Sequence, residues 1–217
     1  MSNKTEINPN INATVINSEV GQATAINPNL VASSTKLVAG TLLAGKYEIV
    51  EPLSVSTGEA DLYVCKYDGK EYVAKVYRRQ RAVKPEVITV LKSISSPYVA
   101  SLFDTGTHNN MPFEVLPYYK NGSLQGRQFS MEELTKTIIP CINEALRVLH
   151  QNDIIHKDLK PSNIMLLDDN KSVAIIDFGI SSVVEQGNTV LVTKTGMTPE
   201  YSAPETFRNL FLEESDY

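Results

Sequence analysis

Apolar positions fall into two regimes along the chain. From about Leu42 to Val76, β-branched and aromatic residues come in short runs, at residues 47–51, 61–66 and 71–77, which is the pattern of strands. Asp68-Gly69 between the second and third runs is a hairpin signal, because a two-residue turn there needs a left-handed backbone that these residues tolerate. Three antiparallel strands follow. Residues 86–94 read as a helix, and runs at 101–104 and 112–116 flank the turn-prone His108, Asn109 and Asn110, making five strands and one helix before residue 117. Beyond that point the period lengthens. Ser130 and Glu133 are spaced as a capping box, and Leu134, Ile138, Cys141, Ala145 and Leu149 recur at steps of three and four, which predicts one amphipathic helix to about His150. Residues 154–155, 164–167 and 173–176 are short strand candidates. Strands first and helix after predict an α+β fold of two lobes.

The first 46 of the 217 residues carry no aromatic side chain, since the ten Tyr and six Phe all lie at or beyond Tyr47. Residues 1–41 are rich in Asn and small side chains, with Pro9 and Pro28 as breakers, so little of the segment can repay its ordering entropy. It reads as a disordered tail. Within it Thr5-Glu6-Ile7-Asn8, Thr14-Val15-Ile16-Asn17 and Thr24-Ala25-Ile26-Asn27 repeat a Thr-x-Ile-Asn unit, either as drift in a bland linker or as a multivalent docking peptide. The formal net charge of -5 offers no background field for nucleic acid or an anionic membrane. Cys65 and Cys141 do not make a disulfide framework, and no stretch approaches the roughly 18 apolar residues that span a bilayer. A cytoplasmic location is expected.

Candidate chemistry concentrates in the polar loop 156–163. Any one of its charges, taken alone, reads as solvated surface. Its spacing changes that: Asp158 at the end of a strand can orient a hydroxyl nucleophile, Lys160 two residues on can neutralise a transferring phosphoryl group, and Asn163 can hold a metal ion. Fourteen residues beyond Asn163 stand Asp177, Phe178 and Gly179, where the carboxylate supplies a second hard-oxygen ligand and the glycine permits a turn other residues resist. Two such sites around one loop suit a magnesium nucleotide.

The loop from His156 to Asn163, then Asp177-Phe178-Gly179, then Ala203-Pro204-Glu205, resemble in that order the eukaryotic-type (Hanks-type) serine/threonine protein kinase family, over roughly Leu42 to Tyr217. The resemblance implies a two-lobed kinase-like fold, with a β-rich N-lobe of one helix at residues 42–117 and a partial, mainly helical C-lobe at 118–217. It implies ATP and Mg2+ as cofactors and protein substrates as partners. By it Asp158 is the catalytic base, Lys160 the catalytic-loop lysine favouring Ser/Thr specificity, and Asn163 and Asp177 the metal ligands. Tyr72-Val73-Ala74-Lys75 resembles the third-strand motif, so Lys75 binds the α- and β-phosphates, with Glu86 as its candidate helix carboxylate. If Gly122-Ser123-Leu124 is the family's Gly-Ser-Leu, Leu116 is the gatekeeper, and Pro117, Tyr118 and Tyr119 form the hinge that holds adenine. Leu62 and Val73 would cover the ring, and Met165 would lie beneath it. Core packing alone would explain these three equally. Gly196 to Tyr201 resembles the substrate-docking segment with one extra residue, and Thr198 is its threonine.

Departures from the family pattern bear on activity. The glycine-rich loop from Leu53 to Asp61 keeps one clear glycine, Gly58, and Glu59 and Asp61 add negative charge where phosphates would come. Lys157 replaces the usual Arg and offers a point charge instead of a fork, which argues against control by an activation-loop phosphate at Thr189, Thr193 or Thr195. Glu86 lies one residue farther from Ser96-Pro97 than the family spacing. A pseudokinase-type scaffold or regulatory binding module is the alternative reading; it should lack one of Lys75, Asp158 and Asp177, and all are present. A phosphothreonine-reading partner, such as a forkhead-associated domain, is expected on the tail threonines Thr5, Thr14 and Thr24. The chain reads as a fragment of a bacterial member with little activity of its own, because the sequence ends twelve residues after Glu205. Ser215-Asp216-Tyr217 resembles the opening of the long buried helix whose aspartate braces the catalytic loop. The apolar stripe of the helix from Ser130 to His150 is then expected to lose much of its cover, Glu205 its Arg partner, and the segment after Gly179 its order.

Overall fold

Asp68 and Gly69 both take left-handed backbone, with φ of 49° and 72°, and close a tight hairpin between β3 (Ala60–Tyr67) and β4 (Lys70–Tyr77). A second such turn at Asn109 and Asn110 joins β5 (Asp104–His108) to β6 (Met111–Pro117). With β1 (Leu42–Leu43) and β2 (Tyr47–Ser54) these strands form an antiparallel sheet in the order β1-β2-β3-β4-β6-β5. The computed structural model describes residues 36–54, 60–78, 83–179, 181–183, 190–191 and 198–217. Gly58 and its loop, the tail repeats with Thr5, Thr14 and Thr24, and Thr189, Thr193 and Thr195 lie outside them.

Strand alternation sorts the sheet into two faces. Tyr47, Ile49, Tyr63, Cys65, Ala74, Phe113 and Val115 pack into one apolar cluster, which Leu37 also reaches. Contacts therefore begin before Leu42, and the Leu37 amide donates to Tyr63 Oη at 3.2 Å. The alternate residues Leu62, Val73, Lys75, Tyr77, Glu114 and Leu116 share the opposite face, with Leu62 opposite Lys75, Val73 opposite Leu116, and Lys75 opposite Glu114. Asp61 lies on the first face, not the second. Arg78 pairs with it, Nη2 to Oδ1 at 2.5 Å, so its charge is both neutralised and turned from Leu62, contrary to the expectation that it would crowd a phosphate. The run at 101–104 is also corrected, because the strand begins only at Asp104 and Phe103 contributes a single bond, N–H to Val115 O.

Helix α1 (Pro85–Ser93) starts with a proline in its first turn, where a missing N–H costs nothing, and buries Val87 and Leu91. Further on, Ser130 accepts from the Glu133 amide while Glu133 accepts from the Ser130 amide, the predicted capping box. The predicted single helix is three segments: α2 (Met131–Glu133), a π-helical turn (Leu134–Ile138), and α3 (Ile139–His150). Pro140 explains the break, since it has no N–H to give to the preceding turn, and the Ile139 amide bonds back five residues to Leu134 O.

Short antiparallel pairs complete the second lobe. They are β7 (Ile154–Ile155) with β10 (Ser182–Val183), β8 (Ile164–Leu166) with β9 (Val173–Ile175), and β11 (Val190–Leu191) with β12 (Leu210–Phe211). The apolar stripe expected to lose cover is covered in the structure. Ala145, Leu146 and Leu149 pack with Val87, Leu91, Val99, Ile154, Ile175 and Phe178 in a core that joins α1 to α3, and Ile138 and Cys141 pack on Ile164, Leu166 and Val173. This core fixes the loops between β7 and β10 against the sheet.

Candidate active site

The loop after β7 is held from below by one carboxylate. Asp216, in a short 3-10 turn (Glu213–Asp216) and almost fully buried, accepts the His156 amide at 2.9 Å, the Lys157 amide at 2.8 Å and contacts His150 Nε2 at 2.9 Å. Lys157 adopts a φ of 72°, which turns two successive amides toward that carboxylate, and strain of this kind persists where the surroundings over-determine it. His156 is fully buried. Its Nε2 meets Ile176 O at 2.9 Å, its Nδ1 accepts the Asp158 amide at 3.3 Å, and its ring stands edge-on to Phe178 with centroids 5.3 Å apart. The loop is thus tied to the chain just ahead of Asp177. Glu205, expected to be unpaired, accepts from Ser215 Oγ at 2.5 Å.

Above this brace the predicted residues converge. Asp158 Oδ2 lies 2.7 Å from Lys160 Nζ and accepts from Asn163 Nδ2 at 3.1 Å. Thr198 Oγ1 donates to Asp158 Oδ1 at 2.8 Å and accepts from Lys160 Nζ at 2.8 Å, so a hydroxyl already sits between the carboxylate and the ammonium. Asn163 also donates to Asp158 O, which leaves its amide oxygen free of that duty and fixes its orientation. One hydrogen bond, Ile176 N–H to Asn163 O at 2.9 Å, sets Asn163 beside the start of the Asp177 segment.

Asp177 takes a φ of 66°, and its Oδ1 accepts from Lys75 Nζ at 2.5 Å and from the Gly179 amide at 3.3 Å. Glycine at 179 eases this arrangement, since a Cβ there would lie 3.2 Å from that same Oδ1 and the carboxylate would have to shift by a few tenths of an ångström. Burial works against the Asp177 charge, but the Lys75 ammonium overrides it and holds the carboxyl below its ordinary range. The structure does not bring Glu86 to Lys75. Glu86 is exposed in the first turn of α1, where the helix dipole favours a carboxylate, and the side chain facing inward is its neighbour Val87.

For a nucleotide base, Leu62, Val73 and Leu116 line the same sheet face, each partly buried. Met165 pairs with Ser123 in a β-bridge, and Leu166 N–H bonds to Gly122 O, which draws β8 under the segment after β6. Pro117 can offer only a carbonyl, so amide donors in the proposed hinge belong to Tyr118 and Tyr119; the Tyr119 carbonyl is taken by the Gly122 amide at 3.0 Å. Leu53 is half exposed at an irregularity of β2 between Pro52 and Ser54.

Among the described residues no group of three or more His, Cys, Asp or Glu side chains could form a metal site. Magnesium does not require one, because it keeps waters and binds through one or two protein oxygens plus phosphates. The amide oxygen of Asn163 and the carboxylate of Asp177 fit that donor set, and Gly179 leaves the carboxylate its space.

These features find their counterpart in known proteins. A sequence profile described as the protein kinase domain matches residues 55–217. The chain belongs to the protein kinase family. Similar relatives include the carbon catabolite-derepressing protein kinase of Candida glabrata, 28% identical over 82% of this chain and 31% of its own length. A probable serine/threonine-protein kinase, pknA2, of Bifidobacterium longum is 28% identical over 77% of this chain and 24% of its own. The CBL-interacting serine/threonine-protein kinase 8 of Arabidopsis thaliana is 30% identical over 74% and 38%. The kinase chain therefore spans roughly a quarter to two fifths of the length of these relatives.

Asp158, Lys160, Asn163 and Asp177 were singled out by their spacing, and Lys75 and Thr198 by resemblance to the family's motifs. His156 as a hydrogen-bond hub and Glu114 as a buried carboxylate were not. The signal for Glu114 was there, as a lone charge inside the apolar run from Phe113 to Leu116.

Proposed function

We propose that this kinase transfers the γ-phosphoryl group of ATP to serine or threonine hydroxyls of proteins, its own included, in cytoplasmic signalling. The observation that carries the reading is the hydrogen-bonded cluster of Asp158, Lys160, Asn163 and Thr198 on a loop fixed by buried Asp216. An incoming hydroxyl beside Asp158 would lose its proton to the carboxylate as its oxygen bonds to phosphorus and the bond from phosphorus to the ADP oxygen breaks. Lys160 would face the charge on the moving phosphoryl group. Lys75 would exchange part of its contact with Asp177 for the α- and β-phosphates, freeing Asp177 and Asn163 oxygens for Mg2+. Mg2+, when bound, would supply neutralisation of the phosphate charge. Leu62, Val73 and Met165 would enclose adenine between apolar surfaces, with Leu116 behind it and Pro117 to Tyr119 supplying backbone contacts.

The free, buried Cys65 and Cys141 support a reducing compartment, and among the described residues no helix is long and apolar enough to cross a membrane. Phosphorylation of Thr5, Thr14 and Thr24 by the kinase, recruiting a forkhead-associated domain, belongs to the same reading. It is supported by the three repeats, since a phosphate on each adds acceptors and charge and three copies add avidity.

The test is incubation of the full-length protein with radiolabelled ATP and Mg2+, followed by phosphoamino acid analysis and mapping. Label on serine or threonine, lost in Asp158→Asn and in Lys75→Met while both variants stay folded, is the expected result. Label retained in Asp158→Asn would refute the base, and an unlabelled tail would remove the docking role of its threonines.

A further inference from the structure

A lysine side chain is flexible, and one that must meet phosphates needs a fixed carboxylate beside it. Helix α1 supplies none to this face: Glu86 is exposed, and the residues it turns inward are Val87 and Leu91, 0% and 2% exposed. The sheet does supply one. Glu114 on β6 stands directly opposite Lys75 on β4, and directly opposed residues in an antiparallel ladder carry their Cβ atoms about 4.5–5.5 Å apart on the same face.

Glu114 is 5% exposed, between buried Phe113 and Val115. A carboxylate in such a place is costly unless it is hydrogen-bonded and paired. The hydrogen bonds are present, and the Lys75 charge acts on the carboxylate from the opposed strand position, although burial outweighs them and pushes the Glu114 carboxyl above its ordinary range. Tyr77 Oη donates to Glu114 Oε1 at 2.7 Å, and the Val83 amide, just ahead of α1, donates to the same side chain. Tyr77 in turn lies beneath the ammonium, with Lys75 Nζ 5.3 Å from its ring centroid. One tyrosine therefore touches both residues, Glu114 by its hydroxyl and Lys75 by its ring.

Lys75 also has a second, more exposed partner in Asp177. The charge of Glu114 attracts Lys75 and repels Asp177, so two carboxylates compete for one ammonium. Once Asp177 turns to a metal ion, Glu114 is the carboxylate left to hold the lysine. The geometry points to Glu114, from the sheet and not from helix α1, as the residue that positions Lys75 for the nucleotide phosphates, with Tyr77 as its support. This inference rests on the kinase activity proposed above for its consequence, but not for the strand register that sets Glu114 opposite Lys75.

The experiment compares the full-length wild-type protein with Glu114→Gln, Glu114→Asp, Tyr77→Phe and Glu86→Gln. Two readouts run in parallel: kcat and KM for Mg-ATP, and the side-chain Cε–Hε resonance of Lys75 in lysine-labelled protein, assigned with Lys75→Arg. Glu114→Gln is expected to move the Lys75 resonance and to lower kcat/KM for ATP at least about tenfold, with KM for the protein substrate unchanged. Glu114→Asp should recover part of that loss, Tyr77→Phe should move the resonance with a smaller kinetic effect, and Glu86→Gln should move neither. A Lys75 resonance unmoved by both Glu114→Gln and Tyr77→Phe overturns the inference, as does a larger effect from Glu86→Gln. Should wild type transfer no phosphate, the activity reading fails while the resonance still decides the role of Glu114. Should Glu114→Gln not fold, Tyr77→Phe decides it alone.

Discussion

Lys157 brings its ammonium into a buried place where, among the described residues, Nζ has no hydrogen-bond partner and rests 4.9 Å from the Phe211 ring. Burial, reinforced by Lys84 and opposed by Asp216, pushes its pKa down to about 8. The unfolded chain then binds a proton there more readily than the folded one between about pH 8 and the ordinary lysine value of 10.5. Below pH 8 the buried charge costs stability, and the cost fades as pH rises through that window. Lys157→Met is therefore expected to stabilise the protein at pH 7, by at most on the order of 2–3 kcal/mol, with the gain shrinking toward pH 10.5. Urea unfolding of both proteins at several pH values checks this, and a gain that grows with pH would contradict it. Asp216 makes the opposite case, since Asp216→Asn turns an acceptor of two amides into a partial donor. It should cost about 1–3 kcal/mol and slow phosphate transfer by loosening the loop that carries Asp158. Resemblance to the family's motifs drew attention to both residues in the sequence. Glu86 misled because neighbouring helix positions differ by about 100° in direction, so that a one-residue offset exchanges an inward side chain for an exposed one.

Among the elements, the helix at 131–150 shows how much periodicity can say. Its buried stripe was legible, and Ile138, Cys141, Ala145 and Leu149 are buried. The π-helical turn was not, because one residue inserted ahead of Pro140 leaves the order of apolar residues intact while changing the hydrogen-bond ladder. Hairpins were equally legible where two adjacent residues must be left-handed, as at Asp68-Gly69. The strand at Asp104–His108 was misjudged at its start, since Leu102 is apolar because it is buried in the core and Phe103 because its ring lies against Tyr72, with one bond to Val115 as its share of the ladder. Two substitutions separate cap from core. Ser130→Ala should cost about 1 kcal/mol, the worth of a cap on an exposed first turn. Leu149→Ala, at the junction of α1, β7 and α3, should cost about 2–5 kcal/mol. Equal losses in a denaturant series would mean that the stripe is not the anchor of the second lobe.

For the molecule as a whole, one core binds α1, α3, β7 just ahead of the loop at 156–163 and β9 just ahead of Asp177, and it includes Phe178 beside Asp177. The two halves of the site are therefore built on a shared scaffold: Lys75 on the sheet, Asp158 and Asn163 on the loop, and Asp177 between them. The sequence made the two-lobed class and the order of the motifs readable. It could not make readable which carboxylate faces Lys75, because that depends on strand register and helix rotation together. The central claim is that Asp158 acts in transfer while the nucleotide is held by other residues. Single-turnover transfer from Mg-ATP by full-length Asp158→Asn, measured beside its affinity for Mg-ATP, tests it most directly. Transfer is expected to fall about 10²–10⁴-fold, with nucleotide affinity within about twofold of wild type. Transfer near the wild-type rate, or a loss explained entirely by weaker nucleotide binding, would contradict the role of Asp158 as base.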